Sequence, residues 1–220
     1  GIFSNTRTFF EKKRNEPKFK NAVAIRTILK SKSTLNIDTE KISLLMGKNC
    51  HIVVYPINRN KELNLVCIIR EKKYDPRIIK TLVEKVVSQN PNLKKVFEGE
   101  LKSWPLYFTP KILQSSNSKV FYIGDAFNGF LPTLAQGAGQ SIESAYELFK
   151  LIKEGKEDIQ NAYFQERLKR AKIVRRRSNI NFFAFHFSST IMQVIRNFFM
   201  KFLIKRKSFI GSYLGTVYKH

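Results

Sequence analysis

The chain has 220 residues, 43% of them hydrophobic and 26% charged, enough for one large folded domain or two small ones. Lys and Arg number 40 against 17 Asp and Glu, a formal charge of +23 that suits nucleic acid, an anionic membrane surface or a phosphate-bearing cofactor. Several classes are excluded as readings: no apolar run reaches the ~18 residues of a membrane span, Cys50 and Cys67 show no CxxC spacing, and His51, His186 and His220 form no ligand cluster, so neither a disulfide framework nor a metal site is implied.

The charge is scattered in pairs such as Lys12-Lys13, Lys72-Lys73 and Lys94-Lys95, which reads as a solvated surface, and only the C-terminal third concentrates it. No specific nucleic-acid partner is expected, since no recognition motif accompanies the charge. A reducing cytoplasm is the expected location, with peripheral contact at a membrane left open by the basic, aromatic tail from about Ala171 to Tyr218.

In chain order, AVAIRTIL (22–29), CHIVVYPI (50–57) and ELNLVCIIR (62–70) are β-branched strand sequences, the last two joined by the turn NRNK as a hairpin in an antiparallel sheet. Helical spacing follows Asp75-Pro76 as far as Asn90-Pro91, with a second short helix over Asn92 to Glu98. LKSWPLYFTP then reads as an edge strand, because Pro105 has no N–H for a central ladder. KVFYIGD reads as a short buried strand, followed by a helix from about Gln136 to Lys153. Further helices are predicted from Ala162 to about Ala184 and from Ile191 to about Lys205. The aromatic run NFFAFHF (181–187) is read as helix packing, and His186 within it receives no catalytic role.

The turn between KVFYIGD and its helix carries the chemistry. Ligands of open α/β sheets bind beyond strand carboxyl ends, where helix N-termini present free N–H groups. Asp125 would accept hydrogen bonds from ligand hydroxyls there, and the backbones of Gly137 and Gly139 would let a flat ligand approach. A capping Asp with an ordinary glycine turn explains the same residues equally well.

The stretch IGDAFNGFLPTLAQGAGQSIESA closely resembles the G-D-A-A-H-x-x-x-P-x-x-x-Q-G-x-x-x-x-x-E-D-A segment of FAD-dependent aromatic hydroxylases, particularly the salicylate hydroxylase-like branch. Other motifs match in order. GIFSNTR, through Gly1, Ser4 and Arg7, resembles the tail of that family's D-G-x-x-S-x-x-R motif; HIVVYPI resembles its H-x-x-x-Y-P strand; and YFQERLKRAKIVRRRS resembles its Y-x-x-x-R-x-x-R-A helix. Two departures stand out: Phe127-Asn128 replaces Ala-His, with Phe127 expected to narrow the flavin's surroundings, and Glu143-Ser144 replaces Glu-Asp.

The resemblance implies an α+β chain, an incomplete α/β flavoprotein monooxygenase fold. Its expected parts are the end of an FAD-binding segment (1–18), an antiparallel substrate-binding domain (19–112), a returning FAD-binding segment (113–155) and a C-terminal helical region (156–220). It implies FAD held by Gly1, Ser4, Arg7, Gly124, Asp125, Pro132, Gly137, Ala138 and Gly139, with Asp125 on the ribityl chain and the helix N-terminus on the pyrimidine edge. It also implies catalytic roles for His51, which accepts or relays a phenolic proton, and for Tyr55 and Gln136, which orient substrate. The implied reaction uses NADH or NADPH and O2 to hydroxylate a phenolic or aromatic acid through a flavin hydroperoxide; hydroxylation of quinone-type aromatics at a membrane surface is the alternative, and a homodimer is left open. Because the family's Gly-rich fingerprint and the Asp of its D-G motif precede the point where this sequence starts, the sequence is expected to be the C-terminal part of a longer protein and inactive alone.

Overall fold

In the computed structural model, which describes residues 1–12, 15–30, 38 and 40–218, β-branched residues build an antiparallel sheet where the sequence places one. Lys13 of the Lys12-Lys13 pair and His220 lie outside the described residues. Strand β1 is Lys18–Leu29, β2 is Ser43–Gly47, β3 is Cys50–Ile57, β4 is Glu62–Arg70 and β5 is Lys102–Phe108. Their order is β2-β3-β4-β1-β5, so the Pro105-bearing strand lies at an edge as expected. The β3–β4 turn passes through Asn58, Arg59 and Asn60 at φ 50, 55 and 64°, a left-handed path that asparagine tolerates.

Two of the predicted assignments change. The five residues of β2 lie in a segment with no predicted strand; they are recruited by pairing Ser43–Gly47 against Val54–Cys50. Conversely, residues 119–124 of KVFYIGD form no strand, and Ile123 is 43% exposed. An apolar run becomes a strand only where a neighbour accepts and donates its backbone hydrogen bonds, and no described strand pairs with it.

The chain divides into two compact units: residues 1–20, 107–182 and 203–220 form the first, and residues 21–106 and 183–202 the second. The return of residues 183–202 to the second unit is invisible in the order of elements along the sequence.

In the second unit, cross-strand register sorts the sheet into two faces. Val23, Ile25, Leu29, Cys50, Ile52, Val54, Leu63, Leu65, Cys67 and Ile69 share one face and are all buried. Helix α2 (Ile79–Val87) and the 3-10 turns Pro91–Phe97 lie over it. Gln89, just beyond α2, binds Lys48 N–H at 2.8 Å, and a Cβ on Gly99 would stand 3.3 Å from Thr27 Oγ1. The opposite face presents Ala24, Arg26 and Ile28 on β1, Asn64, Val66 and Ile68 on β4, and His51, Val53 and Tyr55 on β3. This face is polar at several positions.

The first unit is helical, with α1 (Asn5–Glu11), the single turn α3 (Asp125–Asn128), α4 (Gly137–Lys153), most of α5 (Ile159–Phe185) and α7 (Lys207–Tyr218). Tyr122, Ala126, Phe127 and Ala171 form a buried cluster flanked by Phe164. The remaining helix, α6 (Thr190–Leu203), lies almost wholly in the second unit.

Leu65 is fully buried on the apolar face between Thr27 and Val54. Leu65→Ala should cost about 2–5 kcal/mol, measured as a lower urea midpoint at unchanged slope.

Candidate functional site: a glycine turn, a helix N-terminus and a polar sheet face

The turn before α3 depends on Gly124. Its φ is +56°, and a Cβ there would lie 2.5 Å from Ser141 Oγ on α4. Glycine therefore serves two needs at once: it permits the left-handed bend and lets the Gly-Asp turn press against α4 within one helical turn of its start.

Arg7 fixes the same turn from the other side. Ser4 Oγ accepts the Arg7 N–H at 3.2 Å and caps α1, directing the Arg7 side chain inward, where it is 3% exposed. Its guanidinium donates to the carbonyls of Ile2, Asp125 and Ala126, the last at 2.9 Å. Arg7 thus braces the turn through backbone carbonyls. Gly1, the residue before the braced Ile2, is exposed.

Asp125 is exposed, and its carboxylate has no protein partner among the described residues. At the start of α4, a Cβ on Gly137 would meet nothing within 4 Å, and one on Gly139 only Gln136 Oε1 at 3.8 Å. The N–H groups of Gly137, Ala138 and Gly139 are the helix's free first-turn donors, carrying its positive dipole end. An unpartnered carboxylate, open glycine backbone and free N–H groups on one stretch of chain fit a polyhydroxylated cofactor with an electron-rich edge.

The loop from Pro132 to Gln136 is held by α5. Ser178 Oγ donates to Leu131 O, Thr133 Oγ1 donates to Ser178 O at 2.7 Å, and Asn181 Nδ2 donates to Thr133 O at 3.3 Å. Pro132 opens a 3-10 turn that ends at Ala135, φ 53°. Gln136 is buried and accepts from Gln140 Nε2 at 3.3 Å; Gln140 in turn binds Glu143 and Arg167 at 3.0 and 2.8 Å. Burial raises the Glu143 pKa, but hydrogen bonds and charge from Arg170 and Arg167 outweigh it and hold the carboxyl below its ordinary value.

Phe127 departs from expectation. It is 4% exposed and packs against Tyr163 and Phe164 at centroid distances of 6.0 and 6.1 Å, so it fills the core of the first unit. Its neighbour Asn128 accepts from Arg175 Nε at 3.0 Å, and Arg175 also donates to Pro110 O at 3.0 Å.

On the polar sheet face of the second unit, His51 and Tyr55 share a side as the period of two requires, whereas Gln136 belongs to the first unit. His51 is 1% exposed. Its Nδ1 lies 3.0 Å from His186 Nε2, which is also 3.3 Å from Ile68 O. A carbonyl only accepts, which assigns the proton to His186 Nε2; His51 Nδ1 is then an acceptor, and Nε2 carries the His51 proton. Burial, then the charge of His186, push the His51 pKa down to about 3. His51 is therefore neutral near pH 7, unlike the histidine poised near 6.5 that the sequence suggests. His186, read from sequence as packing, is its buried partner; a lone histidine in an aromatic run gave no signal for this.

Arg26 and Asn64 also escaped the sequence reading. They lie diagonally across β1 and β4, with Arg26 Nε donating to Asn64 Oδ1, and Asn64 faces Tyr55 across β3–β4. Asn64 is fully buried, and its Nδ2 has no hydrogen-bond partner among the described residues. A guanidinium and an unused amide donor next to a tyrosine form a ready acceptor-binding set for a carboxylate.

A profile of the squalene epoxidase family matches residues 1–205. The chain belongs to that family. Its FAD-dependent monooxygenase kinship extends to curated proteins: it is 31% identical over 145 residues to the FAD-dependent monooxygenase cfoG of Aspergillus candidus, covering 59% of this chain and 33% of cfoG. It is 26% identical over 174 residues to the 3-amino-4-hydroxybenzoate 2-monooxygenase PtnB3 of Streptomyces platensis, covering 73% and 43%. Its fold is that of Klebsiella pneumoniae HpxO complexed with FAD and uric acid, at TM-score 0.76 and 13% identity over 91% of this chain and 53% of HpxO. The matches thus span less than half the length of the curated relatives and about half that of HpxO. For this squalene epoxidase family chain, Tyr163, Arg167, Arg170 and Ala171 of the α5 motif serve structure: Tyr163 donates to Tyr122 O at 2.9 Å, both arginines hold Glu143 of α4, and Ala171 packs in the Phe127 cluster.

Gly124→Ala in the full-length protein should lower the FAD retained on purification, and Ser141→Ala should not restore it, since the positive φ remains strained. Native-like FAD content in Gly124→Ala would contradict this. The His51 value also sets a pH window: unfolded His51 takes up a proton below about pH 6.5 whereas the folded group does so only near 3, so stability is full above about 6.5 and falls on acidification. The melting temperature should drop between pH 6.5 and 4.5, and His51→Gln should make that drop smaller.

Proposed function

We propose that the full-length protein is a monooxygenase that uses FAD and NADH or NADPH to hydroxylate a phenolic or aromatic acid. The observation that carries the reading is that one chain holds both the open Asp125–α4 turn and a sheet face bearing His51, Tyr55 and the Arg26–Asn64 pair. The activity of PtnB3 on an aminohydroxybenzoate supports the substrate class.

FAD, when bound, would supply the oxygen activation; the overall balance is Ar–H + O2 + NAD(P)H + H⁺ giving Ar–OH + H2O + NAD(P)⁺. The chain's residues bind and orient. Asp125 accepts from ribityl hydroxyls, and the N–H groups of Gly137, Ala138 and Gly139 donate to the pyrimidine edge, where the helix dipole favours negative charge. Gly124, Arg7, Ser4, Gly1 and Pro132 act by shaping and bracing that turn. Arg26 and Asn64 hold the substrate carboxylate, while Tyr55 orients the ring. His51, kept neutral with its proton on Nε2, donates a hydrogen bond to the phenolic oxygen and favours its electron-rich phenolate form; His186 is a positioning residue that holds this tautomer.

Purified full-length protein should be yellow and consume O2 with NADH or NADPH, faster when an aromatic acid is added. Arg26→Ala should raise KM for a carboxylated substrate about 10- to 100-fold with a smaller change in kcat, and leave the corresponding methyl ester unaffected. Equal KM values would remove Arg26 from the site. With a substrate that does not itself titrate, kcat/KM should show no limb near pH 6.5; a limb there that vanishes in His51→Asn would mean that His51 acts as an ordinary base.

A further inference from the structure

The polar sheet face of the second unit has a second polar end. The period of two carries that face from His51 and Ile68 on to Asn49 and Arg70, away from Tyr55 and Asn64. A cleft of about 590 Å³ opens there, lined wholly by residues of the second unit, with the buried His186 among them. Its walls are fixed by the backbone. Asn21 and Asn49 adopt left-handed conformations, φ 53 and 58°, and their carbonyls accept the N–H groups of Glu71 at 3.0 Å and Arg70 at 2.9 Å. Asn49 N–H donates to Phe187 O at 3.3 Å, which ties an aromatic wall to the start of β3. In that wall Phe183 and Phe187 meet edge to face with centroids 5.0 Å apart, and Phe183 is 63% exposed. A large ring left open at a cleft offers a surface to another ring.

Charge selects the occupant. Arg70, Glu71 and Lys72 all line the cleft, but the carboxylate is already engaged: Glu71 Oε2 lies 3.6 Å from Lys85 Nζ, and Oε1 accepts Lys72 N–H at 2.8 Å. The balance facing a ligand is therefore cationic. The side-chain amides of Asn21 and Asn49 have no hydrogen-bond partner among the described residues, and Ser188 adds an exposed hydroxyl. A guanidinium and an ammonium supply charge-assisted donors, the amides supply neutral ones, and the phenylalanine pair supplies an apolar wall. Together they suit a flat ring that bears a carboxylate or a phosphate.

We infer that this cleft is a binding site for an organic anion with an aromatic or heteroaromatic ring. Arg70 and Lys72 hold the carboxylate or phosphate, Asn21 and Asn49 donate to its remaining oxygens, and the ring lies against Phe183 and Phe187. Two sources share this chemistry: an aromatic acid, and a nicotinamide dinucleotide with its adenine and phosphates. The site is built from residues of the second unit that take no part in the reaction proposed above, so it stands independently of that reading.

The test is titration calorimetry of the full-length protein with benzoate, NADP⁺ and inorganic phosphate. An Arg26→Ala background keeps carboxylate binding at the reaction site from contributing, and the criterion, loss on substitution at the cleft, does not depend on what Arg26 does. Benzoate or NADP⁺ should bind saturably, and more tightly than phosphate. Arg70→Gln/Lys72→Gln should weaken that binding about 10- to 100-fold, and Phe183→Ala about 3- to 10-fold. All three side chains are exposed, so the melting temperature should hold; if the double variant loses stability, Lys72→Gln/Phe183→Ala gives the same reading without touching β4. Benzoate binding that NADP⁺ does not displace assigns the site to an aromatic acid, and NADP⁺ binding without benzoate binding assigns it to the dinucleotide. No saturable binding of either, affinity unchanged in the cleft variants, or phosphate binding as tightly as the ring-bearing anions would overturn the inference.

Discussion

One buried guanidinium organises the first unit. Arg7 collects the carbonyls of Ile2, Asp125 and Ala126, joining the N-terminal segment to a turn 118 residues further along the chain. A buried arginine that met no acceptors would be strongly unfavourable, so the turn has little freedom to leave it. With the carbonyls of Asp125 and Ala126 turned toward Arg7, the Asp125 carboxylate is left on the exposed side.

The second half of the turn is fixed by α5. Arg167 and Arg170 converge on Glu143, and Ser178 and Asn181 hold the loop at Leu131 and Thr133. These contacts immobilise α4 on its flank and its lead-in loop while leaving the backbone at Gly137 and Gly139 open. Preorganised donors of this kind need no rearrangement when negative charge arrives. The motifs in GIFSNTR and YFQERLKRAKIV therefore act largely by supporting the Asp125–α4 turn.

Local pattern revealed much of this. The CHIVVYPI–ELNLVCIIR hairpin and the helices after Asp75, Gln136, Ala162 and Ile191 are legible because β-branched alternation, turn residues and helical spacing all agree with the final packing. KVFYIGD misled because a buried-strand sequence needs a partner strand, which no local window reveals. Ser43–Gly47 misled in the opposite direction, being too short to announce itself. At the site, the glycines and Asp125 were readable from motif spacing, whereas the His51–His186 pair, separated by 135 residues, and the Arg26–Asn64 diagonal arise only from tertiary register. Phe127 was misjudged for a related reason: its position beside a cofactor motif said nothing about the direction its side chain takes, which the aromatic cluster on α5 decides.

The central claim is that the Gly124–Asp125 turn and the start of α4 hold the flavin. Its most direct test is the FAD dissociation constant of the full-length protein against Asp125→Ala, a substitution at an exposed side chain that leaves the Arg7 brace, made to backbone carbonyls, in place. Binding should weaken about 10-fold or more at unchanged melting temperature of the apoprotein. FAD affinity equal to that of the native protein would contradict the assignment.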